Sequence, residues 1–278
     1  MKIANRIDDI QKILKTFNNA SIALVPTMGS LHKGHAELIK KAQEQCNRVV
    51  VSIFVNPSQF DDPNDLKKYP RTPDEDFTFA SDLGVDILFT PLTDEIYKEN
   101  RSTWVIVGDL GDHLCGKNRR GHFRGVATIV AKLFNIIQPD KAFFGEKDWQ
   151  QLLVVKKMVD DLNFPIEIVA VPTVRESSGL VVSSRNVHLS VEERRDAEVI
   201  WRSLIAAKDD ISSGQNDIDK IRLKIGKMIE DKESLSLEYL SLCRPDDLTE
   251  LESTELPILV AIAVRAGNTR LIDNLLVS

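Results

Sequence analysis

Five short runs in the first 172 residues are apolar almost throughout. They are Ser21–Thr27 (SIALVPT), Arg48–Asn56 (RVVVSIFVN), Val85–Pro91 (VDILFTP), Lys141–Gly145 (KAFFG) and Ile166–Pro172 (IEIVAVP). A strand with one face in water alternates apolar and polar side chains; a strand covered on both faces does not. Runs of this kind therefore belong in a parallel sheet with helices on both sides. Segments of helical periodicity do lie between them, at Ala36–Gln45, Pro73–Leu83, Val126–Ile137 and Trp149–Leu162. The second of these has a start signal, with Thr72 as N-cap, Pro73 at the first helical position and Glu75 closing a capping box. Strand and helix alternating through short links predict an α/β fold, a doubly wound parallel sheet, over residues 1–173.

From Val174 the pattern changes. Ser190 and Glu193 form a second capping box that opens a helix to about Asp210; SSGQND is a turn, and IDKIRLKIGKMIED is another amphipathic helix. LSLEYLSLC alternates enough for a half-exposed strand, and PILVAIAVRAG reads as a more buried one. Residues 174–278 are therefore expected to form a second, smaller α+β domain. The formal net charge of −6 argues against general affinity for nucleic acid or anionic membrane. Three cysteines (Cys46, Cys115, Cys243), far apart and without a CxxC pair, fit a reducing compartment and give neither a disulfide framework nor a cysteine-rich zinc site. No apolar run is long enough to span a membrane, and the N-terminal stretch lacks the features of a signal peptide, so a cytoplasmic location is expected.

In Rossmann-like sheets, ligands sit beyond the carboxyl ends of the strands, where helix N-termini attract anions. Four clusters suit such a place. His32 and His35, around Gly34, follow the first run and open the first helix; at spacing i, i+3 they either grip a phosphate together or are polar residues at a helix start. A metal is disfavoured there, because no cysteine or carboxylate stands near at ligand spacing. Asn56 and Gln59 offer neutral amides to hydroxyl and carboxylate oxygens. In GEKD, Gly145 permits close approach, Lys147 seeks phosphate, and Asp148 suits ribose hydroxyls or a magnesium ion. Ser183, Ser184 and Arg185 make a compact oxyanion-binding group. The basic segment Gly116–Phe134 reads as a lid or a substrate-anion contact. No GxGxxG or P-loop motif is present.

Taken together, PTMGSLHKGH, FVNPSQF, GHFRGVATIVAKLFNIIQPDKAFFGEKDWQQ, SSRN and the C-terminal TRLIDN resemble the pantoate–β-alanine ligases (pantothenate synthetases) along nearly the whole chain. These belong to the nucleotidyltransferases whose first helix opens with HxGH. The resemblance implies a Rossmann-like domain for ATP and pantoate with the smaller C-terminal domain closing over the site. It implies a ligase that makes pantoyl adenylate and pyrophosphate from pantoate and Mg-ATP, then pantothenate and AMP from the adenylate and β-alanine. Met28, Gly29, Ser30, Leu31, His32, Lys33, Gly34 and His35 would line the ATP site, with His35 as the usual proton donor. Gly145, Glu146, Lys147 and Asp148 would bind ribose and phosphate. Val174 and Val182 would face the adenine, while Ser183, Ser184 and Arg185 would bind phosphate oxygens. Gln59 and Gln151 would hold pantoate, with β-alanine entering near Gln59. His35, His32, Lys147 and Arg185 would carry the catalysis. Magnesium would arrive with ATP rather than on protein ligands, there would be no tightly bound organic cofactor, and the enzyme would be a homodimer. Arg120, Ser178 and Val181 depart from the family's usual residues, with altered loop dynamics or affinities expected. Two other functions are open: a nucleotidyltransferase that adenylylates a phosphorylated small molecule, and a catalytically silent nucleotide-binding module.

Overall fold

The computed structural model describes residues 1–278 and divides into two compact units. The first comprises residues 1–112, 116–146 and 151–172; the second comprises 113–115, 147–150 and 173–278. The first is built on a six-stranded sheet of β1 (Lys2–Ala4), β2 (Ile22–Thr27), β3 (Arg48–Ile53), β4 (Ile87–Phe89), β5 (Lys141–Gly145) and β6 (Glu167–Val171). Its order is β1-β4-β3-β2-β5-β6, and every neighbouring pair is parallel.

The apolar runs fold as their composition requires. Val49, Val50 and Val51 of β3 and Ala23, Leu24 and Val25 of β2 are all buried, consecutive residues on opposite faces. Leu38, Ile39 and Ala42 of the helix Lys33–Gln45 pack with Val25, Val51 and Phe143 in one cluster. Each fully buried valine, leucine or isoleucine contributes about 1.5–3 kcal/mol relative to exposure.

Three local readings differ from the sequence expectation. β1 lies outside the five apolar runs; it is a three-residue edge strand whose only fully buried side chain is Ala4, so it carries too little pattern to stand out. The helix of residues 126–137 begins earlier, at His122, because Gly121 enters it with φ +78. Thr72 makes no side-chain cap, so the expected capping box with Glu75 is absent. Pro73 at the first position and Asp74, Glu75 and Asp76 in the first turn serve that helix start instead, placing negative charge at the positive end of the dipole.

In the second unit, β7 (Leu235–Cys243), β8 (Ile258–Ala266) and β9 (Thr269–Val277) form an antiparallel sheet. Ile221, Ile225 and Ile229, on one face of the helix Ile218–Glu230, share its core with Leu204, Ala207 and Ile211 of the helix Val191–Ser212. Ser190 and Glu193 cap the latter reciprocally, as expected. No helix of the chain is long and apolar enough to cross a membrane.

Candidate active site

Chain order explains where a ligand can enter the first unit. β2 is followed in sequence by β3 and β4 on one side, whereas β5 and β6 lie on its other side. Such a reversal opens a crevice at the carboxyl ends of the two strands that flank it, here β2 and β5. Met28 follows β2 directly, and the helix Lys33–Gln45 begins five residues later.

The residues between them are held tightly. Gly29 has φ +83, and a Cβ there would lie 2.9 Å from Asp76 Oδ2 and 3.0 Å from Ile53, so only glycine fits. Ser30 follows at φ +51. The Asp76 carboxylate, 3% exposed, accepts the Ser30 N–H at Oδ2 (2.9 Å) and the Leu31 N–H at Oδ1 (2.6 Å). A carboxylate from a neighbouring helix thus fixes the turn that leads into His32-Lys33-Gly34-His35. Nothing in the local sequence PDED marks Asp76 for this task, since each of its acids suits a helix start equally well.

His32 and His35 cap the helix reciprocally. His32 Nδ1 accepts the Gly34 N–H at 3.1 Å, and His35 Nδ1 accepts the His32 N–H at 3.2 Å. Their rings stack with centroids 4.0 Å apart. Since both Nδ1 atoms accept, each neutral ring carries its hydrogen on Nε2. Helix capping and a phosphate grip, left open by the sequence, are therefore compatible: one nitrogen caps and the other carries an N–H.

At the end of the adjacent β3, Asn56 is 1% exposed and organises a polar cluster. Its Nδ2 donates to Gln59 Oε1 and to the Gly125 carbonyl, each at 3.0 Å. Its Oδ1 accepts from Ser58 Oγ (2.7 Å) and Tyr97 OH (2.9 Å). Burial pushes the Tyr97 phenol above its ordinary value, keeping it a donor. Gln59 Nε2 in turn donates to Met28 Sδ at 2.8 Å, so the amide orientation is set from both ends. The Gln59 backbone is clamped as well: His122 Nδ1 donates to its carbonyl at 2.7 Å and Arg119 Nη2 at 3.3 Å. Tyr97 and His122 are site-building residues to which the sequence assigned no role, although His122 falls within GHFRG; they lie remote in sequence from FVNPSQF.

Arg119 also lies 3.8 Å from Asp61, and Arg124 stacks over Trp104 at 4.3 Å. Two of the three guanidiniums of this basic segment, those of Arg119 and Arg124, are thus engaged by the protein itself. Gly145 ends β5, and Glu146, Lys147 and Asp148 form one turn of 3-10 helix before the helix Trp149–Asp161, which carries half-buried Gln151 near its start. Lys147 Nζ lies 3.4 Å from Asp148 Oδ1.

Ser183–Arg185 does not follow a strand of the six-stranded sheet, contrary to the sequence reading. It belongs to the second unit, after a hairpin-like turn in which Arg175 pairs with Val181 and Val182 N–H donates to the Val174 carbonyl at 3.0 Å. Val174 and Val182 are thereby neighbours. Ser183 Oγ accepts the Arg185 N–H at 3.3 Å and caps the short helix Ser184–His188.

Residues 2–276 match the family model for pantoate-beta-alanine ligase. A pantothenate synthetase of Syntrophomonas wolfei is 49% identical over 258 residues, 92% of each chain. The crystal structure of pantothenate synthetase from Thermus thermophilus superposes with a TM-score of 0.93 at 40% identity, covering 99% of both chains. A pantoate-beta-alanine ligase from Francisella tularensis, crystallised with beta-gamma ATP and β-alanine, is 34% identical with a TM-score of 0.83, covering 99% of this chain and 97% of that one. On a match of this length and identity, the chain belongs to the pantoate–β-alanine ligase family.

Proposed function

We propose that this chain joins pantoate to β-alanine in an ATP-driven reaction with two half-reactions at the carboxyl edge of its six-stranded sheet. In the first, a pantoate carboxylate oxygen attacks the α-phosphorus of Mg-ATP and pyrophosphate leaves, giving pantoyl adenylate. In the second, the β-alanine amine attacks the acyl carbon, loses a proton, and AMP departs as pantothenate forms.

The observation that carries this reading is the pairing of two sites on adjacent strands. After β2, a glycine turn and a helix N-terminus bring together two imidazole Nε2–H donors. After β3, a buried amide pair is oriented by Asn56 and Tyr97. Adenylation needs charge neutralisation around a crowded phosphate and in-line placement of the carboxylate. The first site suits the phosphates and the second suits a hydroxy acid. Met28 to His35 would cradle ATP, with His32 and His35 on the phosphates and His35 as proton donor to the leaving group. Gln59 and Gln151 would bind pantoate, and β-alanine would enter near Gln59. Gly145 to Asp148 would bind ribose and phosphate, Lys147 as the cation. Val174 and Val182 would face the adenine, and Ser183, Ser184 and Arg185 would hold phosphate oxygens. Magnesium enters as the partner of ATP, a substrate complex.

On the family resemblance, the proposal extends to a homodimer and to residues 174–278 acting as a domain that closes over the site. Free thiols at all three cysteines suit a reducing, cytoplasmic setting. The test is exchange of labelled pyrophosphate into ATP, expected with pantoate alone and without β-alanine. AMP should accumulate only when both acids are supplied. ADP as the product would overturn the reading, and exchange supported by a phosphorylated acceptor instead of pantoate would favour a plain nucleotidyltransferase, for which no observation here speaks.

A further inference from the structure

Asp273 and Asn274 are neighbours on β9, yet both are buried, at 5% and 9% exposure. Consecutive strand residues point to opposite faces, so two buried polar neighbours need two separate sets of partners. Asn274 Nδ2 donates to the carbonyl oxygen of Lys147 at 2.9 Å. Asp273 receives a forked pair from Arg175, Nη1 to Oδ2 at 2.6 Å and Nη2 to Oδ1 at 2.8 Å. Its Oδ1 also accepts the Asn274 N–H at 2.7 Å.

Arg175 is held on every side. It donates from Nη1 to the Gly179 carbonyl at 3.1 Å and from Nη2 to the Asn274 carbonyl at 3.3 Å, and its guanidinium lies 3.6 Å from the Trp201 ring centroid. Arg175 sits inside the turn that pairs Val174 with Val182 and leads into Ser183. One strand therefore ties down two backbone segments that are far apart in sequence, residue 147 and residues 174–183.

A buried ion pair is a poor way to gain stability alone, because apolar packing of the same volume does as well or better. What the polar version adds is direction. It sets the position of one carbonyl and one turn to within hydrogen-bond tolerance. We propose that Asp273 and Asn274 are positioning residues of the nucleotide site: Asn274 places the Lys147 backbone, and Asp273, through Arg175, places the turn that carries Val174 to Ser183. This rests on the reading of Lys147 and residues 174–185 as ATP contacts.

The test is a double-mutant cycle on ATP affinity, read by calorimetry without pantoate and by initial-rate kinetics. Asn274→Ala should raise the Kd and KM for ATP roughly three- to tenfold, the scale of one directed hydrogen bond, with the KM for pantoate unchanged. In a Lys147→Ala background the same substitution should add little, because the ammonium side chain carried by the backbone it positions is gone. Arg175→Lys keeps the charge but loses the fork, and should weaken ATP binding whether or not Lys147 is present. Should Asn274→Ala fail to fold, Asn274→Ser, smaller and still polar, is read by the same two measurements. A folded Asn274 variant with wild-type ATP affinity would overturn the proposal, as would an effect that persists in full without Lys147. Lys147→Ala with unchanged ATP affinity would instead remove the premise, and with it the assignment of Lys147 itself.

Discussion

His32 and His35 each use Nδ1 to hold a backbone N–H at a helix start, which leaves the ring hydrogen on Nε2. The two functions can be separated by substitution. Asparagine is a good N-cap and alanine a poor one, so His32→Asn should keep the helix start while His32→Ala loses about 1 kcal/mol of stability. Urea unfolding checks this, and equal midpoints for the two variants would remove the capping role. Both variants should lose the Nε2–H and with it part of the adenylation rate. His35→Ala is expected to slow pantoate-dependent pyrophosphate exchange by a factor on the order of 10²–10⁴, the range for lost acid–base or electrostatic help. Exchange at the wild-type rate would refute its role. Gln59→Ala should act differently, raising the pantoate concentration needed for exchange while leaving the ATP requirement in place.

At the scale of elements, the helix His122–Ile137 is pressed against the turn after β3. A Cβ on Gly125 would lie 2.3 Å from the Ser58 carbonyl oxygen and 2.7 Å from Gln59 Cα, both backbone atoms that cannot swing aside. Gly125→Ala must therefore displace Asn56 to Gln59 or the helix. The expected cost is about 1–3 kcal/mol, as for overpacking, with impaired use of pantoate. Unchanged stability and pantoate KM would mean that this close approach is not needed. On the other side of the site, Asp76→Ala would leave the Ser30 and Leu31 N–H groups without their carboxylate. We expect a loss of about 1–3 kcal/mol in urea unfolding and a raised KM for ATP. Two elements that carry no proposed substrate contact thus shape both halves of the site.

For the molecule as a whole, thiol chemistry gives a readout of packing. Cys243 is fully buried and burial pushes its thiol up to about 11; Cys46 is only partly exposed, and its thiol is raised too, again by burial. In the native protein a thiol reagent should modify Cys46 first, faster as pH rises and its thiolate fraction grows, and leave Cys243 untouched until urea unfolds the chain. Rapid native modification of Cys243 would show that the second unit opens readily. The strand and helix pattern was legible in the sequence because parallel strands covered on both faces are apolar throughout, and because Ser190 and Glu193 are close enough in sequence to cap each other locally. HKGH, FVNPSQF and GEKD were legible as a strand-end set for a related reason: each lies within a few residues of its strand, so chain order alone places it. Asp76 on the turn at residue 30, His122 on the Gln59 carbonyl, Tyr97 on Asn56 and Asn274 on the Lys147 carbonyl were not legible. In these contacts the partners come from 41 to 127 residues apart. Short-range periodicity carries no information about which distant backbone group a side chain will meet. By itself the sequence determined the layering of the first unit and which motifs lie at its strand ends; only the tertiary structure decided which nitrogen of each histidine caps the helix and what holds each candidate residue still, because those choices are made by hydrogen bonds that form only when the chain has packed.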